Sequence, residues 1–310
     1  MSVGMEAVEP VSAPSSRLLH LRLVSLYSMR NSLRSGTGIV YVVLTVTFGL
    51  TMANLVISPI EQGIGLESFQ DGTEEVLDFG LGLLSLKAIG DVSEEAARAL
   101  EYQHWAAFLV RERPMLLSAI LLLLAICLPL LVATGAFNQL SGDIQYHGLR
   151  YQLLRTSRAS LFFGRYMGNA IFSIVVMVAL VLAVVLYLGI KLDIYSWGDL
   201  LPWGGRGLLA LVILCLPYVA LCLMISSFVD SPFGSLVICG IVIPAVPAVA
   251  LAGMNAWEPL GYLIHLLPWG VHHQFLHPKM SHVAGAAAAC IGYTAVFLSL
   301  GYWNFSRRDL

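Results

Sequence analysis

Charged residues are scarce in this sequence: 12% of 310 residues, against 58% hydrophobic. Ordinary soluble domains devote roughly a quarter of their residues to charge. A chain of this length has too little polar surface to cover so much apolar area, so it reads as an integral membrane protein. Lysine is nearly missing. The three present, Lys87, Lys191 and Lys279, follow Leu, Ile and Pro. The Gly-Lys-Ser/Thr step of a phosphate-binding P-loop is therefore absent, and the chain binds no ATP in that way. The five cysteines, Cys127, Cys215, Cys222, Cys239 and Cys290, all lie inside apolar runs. That placement excludes a disulfide framework and a paired-Cys zinc site and reads as buried, inert thiols.

Three further absences narrow the function. Neither a Gly-x-Ser-x-Gly elbow nor a His-Glu-x-x-His motif occurs, so enzyme chemistry has little to stand on. No basic cluster is interleaved with aromatics, and no nucleic-acid partner is expected. The apolar runs hold no charged residue away from their ends, where Arg206 and Asp230 sit. Carriers coupled to protons or sodium keep ionisable groups near mid-membrane, which disfavours secondary transport and favours apolar or amphipathic cargo. Polar cargo has one other route, a dimer interface lined by Asn169, Ser173, Ser226 and Ser227.

What is present is six apolar runs, at about 37–58, 115–137, 168–190, 207–228, 233–253 and 283–303. Each is long enough to cross a bilayer as a helix of about 20 residues, which predicts an all-α protein with six transmembrane spans. Pro217 is expected to kink span four, and Pro244 with Pro247 to bend or unwind span five. Between those spans, Val229-Asp230-Ser231-Pro232 reads as a tight turn, with Asp230 or Ser231 as the helix cap and Pro232 at the first helical position.

The segments outside the spans set the topology. Residues 1–16 are rich in Ser, Pro, Ala and Glu and read as disordered, with no secretory signal. Residues 17–36 form an amphipathic helix. Leu19, Leu23, Leu26, Tyr27 and Leu33 lie on one side, with Arg22, Arg30 and Arg34 opposite, a pattern suited to an anionic inner leaflet. Residues 59–114 carry 11 of the 19 acidic residues and belong outside, with short surface helices, one of them starting at Ser93. Residues 191–206 read as an external loop with interfacial Trp197 and Trp203. Residues 254–282 read as an external half-buried or re-entrant hairpin. That hairpin holds His265, His272, His273, His277 and His282. Within it, His272, His273 and His277 are weak metal candidates, since His273 and His277 are spaced to share a helical face. Pro278 interrupts such a helix and no carboxylate follows, so interfacial polar residues are the favoured reading and no resident metal is expected.

The most informative stretch joins spans two and three. Residues 138–166 form a polar island with Arg150, Arg155, Arg158 and Arg165 against one acid, Asp143. The positive-inside bias places it in the cytoplasm, together with both termini, and predicts a short helix there lying along the membrane. Gly164 and Gly168 repeat at four-residue spacing where span three opens, a pattern that permits close helix packing.

The order Asp143, Gly148, Arg150-Tyr151, Leu153-Leu154, Ser157-Arg158 and Gly164-Arg165-Tyr166 resembles the cytoplasmic loop of the ABC-2 family of ABC-transporter permeases. Gln145, Leu149 and Thr156 stand where that pattern has a second acid, a Thr and a Pro. The ending Phe305-Ser306-Arg307-Arg308-Asp309-Leu310 is similar to the family's tail.

The resemblance implies a permease subunit in the cell membrane, with a coupling helix in the island. Asp143, Ile144, Gln145, Tyr146, His147, Gly148 and Arg150 would then meet a cytoplasmic ABC ATPase. Two copies of that ATPase, each holding MgATP, would serve this chain and a second copy of itself or a related permease, surrounded by membrane lipid. Export of an amphipathic cargo is the favoured reading. The alternatives are an ATP-driven assembly system acting on an extracytoplasmic protein or metal centre, and a His-ligated membrane enzyme.

Overall fold

The computed structural model describes residues 14–61, 108–109, 113–145, 148–191, 195–254 and 257–308. The acidic segment with its helix start at Ser93, most of the N-terminal tail, and Tyr146 and His147 of the island lie outside them.

Among the described residues the chain is helical, and six helices are long and apolar enough to cross a membrane. A first helix, α1 (Pro14–Arg34), precedes span one, α2 (Gly36–Glu61). Span two is α3 (Met115–Ala136), and the island adds α4 (Ser141–Gln145) and α5 (Gly148–Leu153). Spans three to six are α6 (Arg158–Lys191), α7 (Trp197–Phe228), α8 (Pro232–Met254) and α9 (Met280–Arg307). Between α8 and α9 run three tight 3₁₀ turns, Glu258–Leu266, Pro268–Val271 and His273–Leu276.

The spans are not equivalent. In its most apolar stretch α3 is 78% buried within the chain, while α9 is only 17% buried. Span two is therefore the hub, with α2, α7 and α8 packed on it, and α9 rides on the outer side of α7. Near the island end, Phe162 of α6 stacks 5.8 Å from both Tyr302 and Phe305 of α9.

Several expectations are corrected. Span three begins ten residues before its apolar run, because Leu161, Phe162, Arg165 and Tyr166 fall on one buried helical side although one of them is charged. Span four also begins early, so residues 197–206 are helix and not loop. Trp203 is buried within the bundle and donates from Nε1 to Ser118 Oγ at 2.9 Å. Span five is not unwound at Pro244 or Pro247, where helix continues on both sides as it does at Pro217, which neighbouring helices in membrane bundles permit. Asn169, Ser173, Ser226 and Ser227 line no open face: all four are buried inside the single chain. At the α7–α8 turn it is Ser231 that caps, accepting from Gly234 N at 3.2 Å.

The first helix takes an unexpected orientation. It lies against α6 along a stripe that includes Val24, Ser25 and Ser28, and Gly164 and Gly168, which lack a Cβ, receive it. Leu19, Leu23, Leu26, Tyr27 and Leu33 point outward. A stripe of small residues meets protein, while both the leucine side and Arg22, Arg30 and Arg34 are left exposed.

Candidate functional site: the island between spans two and three

The island folds because two leucines anchor it. Leu140 and Leu149 are fully buried in the main core, which pins both ends of the α4 segment against the bundle. The short helix α4 has almost no internal hydrogen bonding, so its free amides need outside partners. They find one on span four. Ser226 Oγ accepts from Leu140 N at 2.9 Å and from Ser141 N at 2.8 Å. Just before the island, Ser235 of α8 donates to the Phe137 carbonyl at 2.8 Å.

Arg165 is the centre of the arrangement. Projecting from α6 into the island, its guanidinium donates to the Gln139 carbonyl at 3.2 Å and to Gln152 Oε1 at 3.1 Å. It also pairs with the Asp143 carboxylate. One planar fork thus joins the end of span two, α4, α5 and span three, a task that suits Arg and not Lys. Ser157 caps α6 by accepting from Ser160 N at 3.1 Å.

The next residue, Arg158, reaches the carbonyls at the end of α9: Ser306 O at 2.7 Å and Arg308 O at 3.0 Å. A cation there complements the helix dipole and the unpaired last carbonyls. Arg308 in turn donates to Ser227 O at 2.7 Å and pairs with Asp230 in the α7–α8 turn. The island therefore touches spans three, four and five directly and is tied to span six through Arg158.

The structure redistributes the expected contact residues. Two short helices replace the single one. Asp143 is committed to Arg165, Ile144 is half-buried against the core, and Gly148 opens α5 beside the Asp143 carboxylate. Gln145 and Arg150 are exposed. The side of the island facing away from the bundle carries Tyr151, 75% exposed, and Leu154, 83% exposed, flanked by Arg150 and Arg155. These two are the large apolar side chains that the described part of the island leaves exposed. In the sequence, Tyr151 and Leu154 carry only the family resemblance, and nothing beside them marks their exposure. Nothing there marks Ser226 as a cap either.

At the opposite end, the three candidate metal-binding histidines do not converge. His272 is buried with Nε2 2.8 Å from the Tyr218 hydroxyl, and its ring lies 5.2 Å from Trp269. His277 instead stacks on His282 at 4.0 Å. The backbone around His273 is a 3₁₀ turn ending in an extended His277, so the helical spacing that would align them is not realised. Among the described residues no group of three His, Cys, Asp or Glu side chains is placed to hold a metal.

Burial, reinforced by neighbouring His273, pulls the His272 pKa down to about 3 from its usual 6.5. Because the folded pKa is depressed, the unfolded chain takes up the proton first as pH falls. Stability from neutral His272 is complete above about pH 6.5 and is lost progressively toward pH 3. Thermal unfolding in detergent is expected to shift downward between pH 7.5 and 5, with a smaller shift in His272→Gln. Equal pH slopes in the two proteins would show that His272 does not carry the effect.

No curated protein matches this sequence. The sequence pattern of the ABC-2 family transporter protein matches residues 24–310. The matched stretch begins within α1 and includes every span, the island and the hairpin before α9. The chain belongs to the ABC-2 transporter family, as one of its non-catalytic membrane-spanning subunits.

Proposed function

We propose that this chain is the membrane half of an ATP-driven exporter, in which a separate cytoplasmic ATPase pushes on the island. The observation that supports this reading is the wiring of the island. Arg165, Ser226 and Arg158 connect it by hydrogen bonds to spans three, four and six, and α4 packs on span five. A displacement of α4 and α5 is then passed to several helix ends at once, as a switching element requires. The island, the end of α9 and the α7–α8 turn share one end of the bundle, and the island's four arginines favour the cytoplasmic side for it.

The chain has no P-loop, so energy enters as the difference in nucleotide binding between two states of the partner. MgATP is held by that partner, in two copies serving two permease chains. The absence of charge within the spans suits a hydrophobic or amphipathic cargo.

The contact surface centres on Tyr151 and Leu154, with Gln145 and Arg150 at its edge and Asp143 holding it in shape from behind. Affinity purification from the native membrane is expected to bring down a P-loop ATPase at about one copy per chain. In Tyr151→Ala/Leu154→Asp the yield of ATPase should fall at least about tenfold, because buried aromatic and apolar anchors carry most of an interface's energy. Absence of any ATPase, or full retention by the double variant, would overturn the assignment. Co-purification of an extracytoplasmic protein instead would favour an assembly role.

A further inference from the structure

Beside Arg165, on the side away from Asp143, the structure contains a second polar feature that the coupling reading leaves unused. A cavity of about 60 Å³ lies where the α1–α2 elbow meets α3 and α6. Its walls include Ser32, Ser35 and Thr37 from the elbow, Gln139 from the end of span two, and Arg165 and Asn169 from span three. Gln139 and Arg165 are 6% exposed and Asn169 is 3% exposed. Yet both ends of the Gln139 amide, Arg165 Nε and Asn169 Oδ1 make no hydrogen bond to protein. Buried polar atoms of this kind are normally paired, and four of them on three residues that line one cavity are groups that a small side-chain rotation would present to a ligand.

The chemistry of that ligand follows from the set. Arg165 Nε and the Gln139 amide nitrogen donate, while Gln139 Oε1 and Asn169 Oδ1 accept. The positive charge of Arg165 is already matched by Asp143. A balanced, neutral set suits hydroxyl groups, which both donate and accept, better than an oxyanion. At roughly 10–15 Å³ for each water-sized site, the cavity takes a group about as large as a glycerol unit.

A second cavity, of about 600 Å³, lies one helical turn further along span one. It is an open apolar groove lined by Ile39, Val40, Val43, Leu44 and Phe48, with Leu131 from span two. Val40 stands one helical turn beyond Thr37 on α2, and Leu131 one turn from Gly135 on α3, so the two cavities are neighbours on both helices. From Ile39 to Thr51 the groove runs about 18 Å at 1.5 Å per residue. That is one leaflet of a bilayer core about 30 Å thick, with some to spare.

We infer that this pair of cavities binds one single-chain amphiphile from the island-side leaflet, its hydroxylated neutral head at Gln139 and Asn169 and its acyl chain along α2. A helix of a second copy would fill the groove, but with its own backbone satisfied it would leave the four head-group partners unmet. The inference needs no ATPase and stands apart from the export reading.

The test uses the full-length chain in detergent or nanodiscs with a monoacylglycerol carrying a photoreactive acyl chain. Cross-links are expected to concentrate on residues 39–51, with competition by unlabelled monoacylglycerol at least tenfold stronger than by a lysophosphatidate of the same chain. Gln139→Met/Asn169→Leu removes the head partners without adding bulk and should cut labelling at least tenfold while leaving thermal stability equal or higher. Val43→Trp fills the groove from its lipid-exposed side and should do the same. Labelling spread evenly over the lipid-facing surface, or unchanged in both variants, leaves only water in the polar cavity and overturns the site. Preference for the lysophosphatidate overturns the neutral head. Cross-links between two chains at 39–51 would make the groove a dimer contact and overturn the amphiphile.

Discussion

Arg165→Met is expected to destabilise the chain by about 2–4 kcal/mol and to uncouple it. The substitution keeps the aliphatic stem but removes the fork that holds Gln139, Gln152 and Asp143 together. Breaking a buried ion pair typically costs about 3–5 kcal/mol, mostly because the surviving charge is stranded. Here the survivor, Asp143, is 31% exposed on its side chain, so water recovers part of that loss.

Arg165→Lys should fall between the two proteins, since Lys supplies the charge without the planar pair of donors. A cycle with Asp143→Asn separates the ion pair from the two neutral bonds. The functional readout differs from the structural one. If the island still folds but slips against span three, ATP hydrolysis by the assembled complex continues while transport falls by about tenfold or more. Denaturation within about 0.5 kcal/mol of the parent, an ordinary surface value, would show that Arg165 is not the fastening it looks to be.

How much of this was visible in the residues depends on the range of the interaction. The six spans were legible because each is a local fact: an uninterrupted apolar run long enough to cross a bilayer. The resemblance in the island was legible for the same reason, as a short ordered string ending in Gly164-Arg165-Tyr166. The wiring was not. Ser226 lies 85 positions from Ser141 and Arg158 lies 148 from Ser306, and nothing in either neighbourhood marks the partner.

The boundary of span three shows a subtler failure. Residues 158–167 carry two arginines and average well below the hydropathy of a span, but at helical spacing Leu161, Phe162, Arg165 and Tyr166 face inward together. A buried Arg four positions before a buried Asn is a signal the average conceals. The N-terminal helix was legible as amphipathic, but which side meets protein was not, because hydropathy alone cannot distinguish lipid from a neighbouring helix as the partner of a leucine face.

That helix carries the other large expected effect. Gly168→Val should detach α1 from span three. A Cβ at Gly168 would stand 2.5 Å from the Ser25 carbonyl oxygen, 2.7 Å from Ser28 Cβ and 3.1 Å from Met29 N. Two of those three atoms are backbone, so no rotamer change relieves the clash and the whole helix must retreat. At Gly164 the nearest atoms belong to the Val24 side chain, at 2.7 Å, which has more freedom to yield. Overpacking costs typically about 1–3 kcal/mol, and close small-residue contacts supply much of the association between membrane helices, where lipid removes the hydrophobic drive. The expected ranking is therefore Gly168→Val worse than Gly168→Ala, with Gly164→Ala mildest.

Undocking is read by placing a cysteine at Ser25, a buried position on the contact stripe, in a background without the five native cysteines. Maleimide labelling of Ser25→Cys should rise about tenfold or more with Gly168→Val, and should not change with Leu23→Ala on the outward side. The outcome also bears on the polar cavity beside Arg165, because Ser28, Asn31 and Ser32 of α1 form one of its walls. If α1 leaves while the six spans stay assembled, the cavity opens with it, and monoacylglycerol labelling should fall in step with the rise at Ser25→Cys.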